Sequence, residues 1–490
     1  MQPNLQLGAP LLEKLTAHQR SGARSFHVPG HKSGAGLDPA AVDYYKDVLS
    51  LDLTEIPGLD DLHHPEEAIQ EAQRLAAECF GAEETFFLIG GSTVGNMAMI
   101  AASCRKGDLL LVQRDAHKSV LHGLMLAGAR AVFLTPLWDE ETGLSHGVHP
   151  DTVEAALERY PEAKGLLITN PSYYGVSRDL TPLAELLHEQ GKLLLVDEAH
   201  GAHFGFHEQV PSSALAAGAD AVVQSSHKML TAMTMGAMLH LQGSRIRRDA
   251  VRRALAMLQS SSPSYPILGS LDWTRRLMAV SGRERIEAVL QAAGQFSTYL
   301  KSQERWTVSR ANPALGGHQD PLKLVLSDST GSLGGFQLKE LLEGRGVYAE
   351  LADPRHVLLA LGLGTTQEDI TALITALKNI AVEEHESGRP PIGQPIPERT
   401  EWDVVSEPIS LDWENALHGD KAHLIIPLSA CAGYRVAQMI VPYPPGIPFL
   451  YPGERITIEQ QTYLVELARV GCRFHGHDVA ATGTVPVWDE

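Results

Sequence analysis

Short apolar runs punctuate the chain from about residue 85 onward. They are TFFLI (85–89), LLLV (109–112), AVFL (131–134), GLLIT (165–169), KLLLV (192–196) and AVVQ (221–224), each bounded by polar residues or glycine. Unbroken apolar runs this short predict strands buried on both faces. Amphipathic stretches separate them. In TPLAELLHEQ (181–190), Leu183, Leu186 and Leu187 recur at helical spacing. Strand and helix in alternation predict a mostly parallel sheet covered by helices. No internal repeat stands out.

Beyond this region the pattern changes. Residues 245–305 read as a long helical stretch, and 306–385 as a second, smaller α/β region. The last helix there has a clear start: Thr366 as N-cap, Asp369 three residues later, and Ile370, Leu373, Ile374 and Leu377 along one face. The segment 386–402 is rich in proline and glycine and reads as a linker or extended surface segment. The C-terminal part, 403–490, contains VPYPPGIPFLYPGE (441–454), whose prolines exclude a helix interior or a central strand. The expected order is an N-terminal segment (1–25), a large domain (26–275), a small α/β domain (276–385), the linker (386–402) and a C-terminal domain (403–490).

Composition narrows the function classes. Hydrophobic residues make up 44% of the 490, enough for a sizeable core. The net charge of -19 argues against nucleic-acid or anionic-membrane binding and favours the approach of small cations. The four cysteines, Cys79, Cys104, Cys431 and Cys472, form no CxxC pair, so neither a disulfide framework nor a zinc ribbon is expected. CRFHGHD (472–478) brings Cys472, His475 and His477 together but lacks a second ligand cluster, and no metal is assigned. The start MQPNLQLGAP lacks a basic stretch and apolar core, and no apolar run reaches membrane-span length, so a cytoplasmic protein is expected.

In an open parallel sheet, ligands bind beyond the carboxyl ends of the strands. There the first run is followed by GGSTVGN (90–96). Its glycines, Ser92 and Thr93 suit a phosphate at a helix N-terminus, or equally a tight turn with a Ser or Thr cap. Later runs are followed by His117 in QRDAHKS, Asn170 and Tyr173 in NPSYYG, Asp197 and His200 in DEAHGAH, and Ser225, Ser226, His227 and Lys228 in SSHK. A lysine, a carboxylate and a phosphate cradle together suggest pyridoxal phosphate: the lysine amine condenses with its aldehyde, and the carboxylate keeps its ring nitrogen protonated.

The set FHVPGHKSG (26–34), LDLTEIPGLDDLHHPEEAI (51–69), GGSTVGN, RDAHKS, DEAHGAHF, SSHK, SSSPSYPILGSLD (260–272) and YPPGIPFLYPGE resembles the bacterial ornithine/lysine/arginine decarboxylases. The likeness runs in the same order from about 25 to 455 and is to the short form, without an N-terminal receiver-like wing domain. It implies a pyridoxal-phosphate-dependent transferase fold of the aspartate-aminotransferase type (fold type I). It implies decarboxylation of a basic L-amino acid: arginine to agmatine first, then lysine to cadaverine or ornithine to putrescine, as in polyamine biosynthesis. The alternatives are an aminotransferase or another lyase on the same fold, or a catalytically silent regulatory relative.

The resemblance also implies residue roles. Lys228 matches the Schiff-base lysine, Asp197 the partner of the ring nitrogen and His117 the imidazole stacked on the ring. Ser92 and Thr93 match the phosphate pair, and Ser225, His227 and His200 further cofactor contacts. His227 or Lys228 would protonate the α-carbon. Ser261 matches a hydroxyl reaching the neighbouring subunit's phosphate, which implies a homodimer with shared active sites, or a higher oligomer. Glu350 and Glu454 are acidic positions at the substrate end. GGST departs from the family's usual Thr–Ser order, and Met235 stands where a polar residue is common.

Overall fold

A computed structural model describes residues 5–387, 404–411, 422–443 and 446–489. The linker expected at 386–402 lies outside the described residues from 388 on, as do two prolines of the Pro-rich segment. The chain forms two compact units, each built from separated stretches: Met1–Cys104 with Asp179–Ile286, and Arg105–Arg178 with Glu287–Glu490. The principal strands are β1 (Glu84–Leu88), β2 (Leu109–Gln113), β3 (Arg130–Leu134), β4 (Gly165–Thr169), β5 (Leu193–Asp197), β6 (Ala221–Gln224) and β7 (Ala237–Leu241). They match the six apolar runs to within a residue at either end and add β7. β2, β5 and β6 are buried along their whole length, which is why they read as unbroken apolar runs.

In the first unit the strand order is β1-β7-β6-β5. β5 and β6 are parallel, and β7 is antiparallel to both β6 and β1. The carboxyl ends of β1, β5 and β6 therefore share one edge. The helix Gly91–Ser103 leaves that edge after β1 and packs on the strands at Gly95. A Cβ at Gly95 would lie 2.4 Å from Val223 Cγ2 and 2.8 Å from Leu88 Cδ1, so the close approach requires glycine.

Two polar anchors brace this unit. The Asp60 carboxylate accepts the amides of Glu66, Glu67 and Ile69 at 2.9, 2.8 and 3.0 Å, satisfying the start of the helix Ala68–Phe80. The fully buried pair Arg275–Asp272 (2.6 Å) receives the Leu11 amide on its carboxylate at 2.9 Å, which pins the helix Pro10–Arg20.

In the second unit β4, β2 and β3 lie side by side and parallel, and Ile409–Ser410 adds an antiparallel edge to β3. A smaller sheet follows, formed by β8 (Trp306–Ser309), β9 (Lys323–Asp328), β10 (Leu351–Ala352) and β11 (Val357–Ala360) in the order β8-β9-β11-β10. Its pairings are antiparallel. The helix Gln367–Ser387 covers part of this region, and Thr366 and Asp369 cap each other as expected. The C-terminal segment has its own core, including Val436, Ile440, Leu450, Leu464 and Val485. Among the described residues Val441–Tyr443 pairs only with Arg473–His475, an edge arrangement that tolerates Pro442.

The helical stretch expected over 245–305 is two helices, Arg248–Leu258 and Tyr265–Leu300, the second kinked at Ser281. The break falls on SSSPS, where Pro263 denies the preceding residue the helical region. Among the described residues no helix is long and apolar enough to cross a membrane.

Replacing Gly95 by alanine drives a methyl group into Val223 and Leu88. Overpacking of this kind costs about 1–3 kcal/mol, so Gly95→Ala is expected to lower the thermal unfolding midpoint. An unchanged melting curve would show that the helix can move away from the strands.

Candidate active site

The first unit gathers three of the expected clusters at one strand edge. Asp197 is the last residue of β5 and is buried. Its Oδ2 accepts Asn96 Nδ2 at 2.7 Å and its Oδ1 the Ala199 amide at 3.1 Å. Asn96 lies four residues after Ser92 on the helix Gly91–Ser103, one turn further along the same face. Asp197 thus sits among neutral donors, with no ion pair among the described residues. A buried carboxylate without a counter-charge is costly, and a protonated ring nitrogen would supply one.

Lys228 lies in the four-residue helix Ser226–Met229, directly after β6, and is half-buried. Its Nζ stands 3.1 Å from His200 Nε2. An ammonium donates to that imidazole nitrogen, and a neutral amine can receive a proton from it, so the contact handles either state of the lysine. His227 turns back to β7: its Nδ1 lies 3.1 Å from Gly236 O, which also accepts the His227 amide at 3.1 Å. Ser225 precedes the helix. The buried hydroxyls of Ser225 and Ser226 have no hydrogen-bond partner among the described residues. Ser92 and Thr93 lie inside the first turn of the helix after β1, whose N-cap is Gly90, so neither is the cap of an ordinary tight turn. Ser92 is half-buried and Thr93 exposed.

These groups fit pyridoxal phosphate. A reachable amine, a buried carboxylate lacking a cation, a helix N-terminus with two hydroxyls and an orphaned Ser225 hydroxyl correspond to its aldehyde, ring nitrogen and phosphate. Ser261 is exposed, in the break between the helices Arg248–Leu258 and Tyr265–Leu300.

Behind Asp197 lies a carboxyl that the sequence reading passed over. Glu198 is fully buried and accepts Ala214 N at 2.7 Å, Ser213 Oγ at 2.9 Å and Gln224 Nε2 at 2.6 Å. Gln224 Oε1 faces His240 Nε2 at 3.2 Å, and His240 Nδ1 faces Thr85 Oγ1 at 2.8 Å. Burial pushes His240 down to about 3, so its ring is neutral. The chain then has one consistent direction, with Thr85, His240 and Gln224 donating in turn toward Glu198. Burial without a counter-charge pushes Glu198 up to about 7, against the pull of its three donors.

The second unit holds the other candidates. β2 and β4 are parallel, so their carboxyl ends present Arg114–Asp115–Ala116–His117 and Asn170–Pro171 at one edge. His117 caps the helix Lys118–Ala127, its Nδ1 lying 3.2 Å from the Ser119 amide and 2.8 Å from Ser119 Oγ. Glu454 is brought to this end of β2 by an ion pair with Arg114 at 2.7 Å. Glu350 is exposed just before β10; its amide donates to Leu358 O at 3.0 Å. Its carboxylate has no ion-pair partner among the described residues. Cys472 is buried, His475 stacks on Tyr443 with centroids 3.9 Å apart, and His477 Nε2 lies 2.9 Å from Thr484 Oγ1.

The comparisons with known proteins accord with this arrangement. The model of the Orn/Lys/Arg decarboxylase major domain matches residues 9–316, and that of the family's C-terminal domain matches 414–489. The chain belongs to the Orn/Lys/Arg decarboxylase family. It is 42% identical over 474 residues to the uncharacterized protein YaaO of Bacillus subtilis, covering 96% of each chain. It is 36% identical over 474 residues to the arginine decarboxylase of the same organism, covering 95% of each. The crystal structure of the Francisella novicida lysine decarboxylase LdcF superposes with a TM-score of 0.82 at 21% identity, covering 98% of this chain and 81% of that one. The fold is that of the pyridoxal-phosphate-dependent fold type I enzymes.

Glu198 makes stability depend on pH. Its folded value of about 7 exceeds its ordinary 4.5, so the folded chain holds a proton that the unfolded chain has released. This contribution is full below 4.5, falls as pH rises toward 7, and is absent above it. Glu198→Gln carries no such titration. Its melting temperature should therefore gain on the wild type between pH 5 and pH 8, roughly the span set by that shift. A difference that stays constant with pH would rule this out.

Proposed function

We propose that this chain decarboxylates a basic L-amino acid, with arginine, yielding agmatine, as its first substrate and lysine or ornithine as lesser ones. The observation that carries this reading is the buried Asp197 carboxylate, held by neutral donors at the same strand edge as the Lys228 amine. The 36% identity to an arginine decarboxylase over nearly the whole chain supports arginine, and a net charge of -19 suits a cationic substrate.

In this reading Lys228 would hold the aldehyde end of pyridoxal phosphate and Asp197 its ring nitrogen. Ser92, Thr93 and Ser225 would hold its phosphate, while His117, His200 and His227 contact the rest. When bound, the cofactor supplies an electron sink for the bond to the departing carboxylate. The protein does the remaining work. Asp197, fixed by Asn96 and the Ala199 amide, presents negative charge where a cation must be stabilised. Lys228 would hold the cofactor and yield its place to the substrate amine, and its Nζ, 3.1 Å from His200 Nε2, is placed to exchange a proton with that ring. Lys228 or His227 then returns a proton to the α-carbon. Glu350 and Glu454 receive the cationic end, which would be costly to bury unpaired.

The protein would act as a homodimer in the cytoplasm. The helix Pro39–Leu49 buries none of its residues, and Phe26, Val28, Tyr44 and Tyr45 stand 95%, 65%, 80% and 58% exposed. So short a helix gains its stability from packing, and a second copy supplies that cover. Four free cysteines accord with a reducing compartment. Ser261 would then serve the phosphate site of the partner subunit.

Purified protein with added pyridoxal phosphate should release CO₂ from arginine, lysine or ornithine offered separately, with agmatine as the main amine product. Lys228→Ala should lose both turnover and the visible absorbance of lysine-bound cofactor. Asp197→Ala should lower kcat by about 10²–10³-fold, the usual cost of removing a fixed electrostatic partner. Keto-acid formation in place of CO₂, or full activity of Lys228→Ala, would overturn the reading.

Shared sites have their own test. Lys228→Ala and Ser261→Ala proteins, unfolded together and refolded, should regain about a quarter of wild-type activity, because random pairing gives half mixed dimers with one intact site each. No recovery would place Ser261 outside the partner's site.

A further inference from the structure

Arg114 lies one residue beyond β2 and is 4% exposed. Its guanidinium forks onto Glu454, with Nη1 2.7 Å from Oε1 and Nη2 donating to Oε2 at 2.8 Å. Oε2 also accepts the Tyr451 amide at 2.8 Å. The segment is tied back a second time. The Tyr451 hydroxyl donates to Arg114 O, and its ring stacks on Phe133 of β3 with centroids 4.0 Å apart and planes 12° from parallel. The Arg114 guanidinium lies 5.1 Å from the centre of the same ring. The Arg114 amide donates to Leu134 O at 2.8 Å, continuing the β2–β3 ladder past the end of the strand.

The parts of this cluster need one another. Glu454 follows Gly453, whose φ of +89° marks a turn that few other residues adopt. A glutamate on such a turn would sample several rotamers, and fixing it costs entropy. The planar fork of Arg114 selects one orientation, which a lysine cannot do. Each carboxylate oxygen can accept two bonds. Oε2 is filled by Nη2 and Tyr451, whereas among the described residues Oε1 takes only Nη1 and keeps capacity for another donor.

We propose that Arg114 is a positioning residue for the cationic end of the substrate: it holds Glu454 in one orientation and ties the 449–454 segment to the strand end that carries His117. The inference rests on the reading that the chain acts on a basic amino acid. Its consequence is that the substrate meets an aligned carboxylate already paired to an arginine, so recognition depends on geometry more than on free charge.

The test uses the holoenzyme and four variants: Arg114→Gln, Arg114→Lys, Glu454→Gln and the double Arg114→Gln/Glu454→Gln. KM and kcat for the preferred amino acid, cofactor affinity by absorbance titration and thermal unfolding are read for each. Arg114→Gln should raise KM by about tenfold or more while kcat and cofactor affinity change far less, as expected when one partner of a fixed charged pair is removed. The double variant should be no worse than Glu454→Gln alone, because the two side chains act through one contact. Arg114→Lys should recover part of the lost KM and fold even if the glutamine variant does not.

A merely structural Arg114 would lower the melting temperature and cofactor affinity without singling out KM. A KM within about twofold of wild type in both Arg114 variants, or effects that multiply in the double variant, would overturn the proposal. Failure of the wild-type enzyme to release CO₂ from any basic amino acid would overturn the functional reading itself. Normal wild-type turnover with an unmoved KM would overturn this inference alone.

Discussion

Two consecutive carboxyls, Asp197 and Glu198, are buried at the end of β5 with only neutral donors around them. Buried carboxyls in this state are tolerated only when their oxygens find donors, and the two draw on different parts of the chain. Asp197 requires Asn96, which requires the helix Gly91–Ser103 to lie against the strands, which in turn requires a glycine at 95. Glu198 requires Gln224 on β6 and, through it, His240 on β7 and Thr85 on β1. The strand order β1-β7-β6-β5 is thus written twice, once in backbone pairing and once in this polar chain. Slipping one strand by a residue would leave a buried polar group without its partner.

The second unit meets a similar demand by the opposite means. At the end of β2 a buried carboxylate is met by a full positive charge, Arg114 on Glu454, and the pair is fastened by an aromatic stack. Buried ion pairs contribute little net stability, because desolvation offsets most of the attraction. Their effect is to make one geometry far better than its neighbours. The first unit leaves a buried carboxylate to neutral donors, and the second holds one with a full positive charge.

Much of this was legible in the residues. The six apolar runs became strands because burial on both faces leaves no room for polar alternation, and the Thr366–Asp369 cap appeared where its spacing placed it. Asp197, His200 and Lys228 could be read because a strand end followed by polar residues is a recognisable pattern. β7 was missed, although AMLHL is as apolar as its neighbours, because His240 interrupts it and its role as a buried link is invisible without Gln224 and Thr85 beside it. The helix Ser226–Met229 is too short to show a period. Asn96, Glu198 and Arg114 were passed over for one physical reason. Each is a polar residue whose partner lies far away in sequence, so a local reading takes it for a solvated side chain.

The interleaving of the two units has a consequence for synthesis. Neither unit is a continuous stretch: residues 105–178 of the second interrupt the first, which resumes at Asp179 and ends at Ile286. β1 pairs with β7, Glu84 opposite Leu241, across more than 150 intervening residues. Contacts of such long range are slow to form and cannot form until both ends exist. On the ribosome β1 therefore emerges with no strand to pair with, and it must wait while residues 105–178 of the second unit are made. Emerging chains in that state are prone to aggregate. This protein's most exposed moment comes during translation, between the appearance of β1 and the arrival of β7.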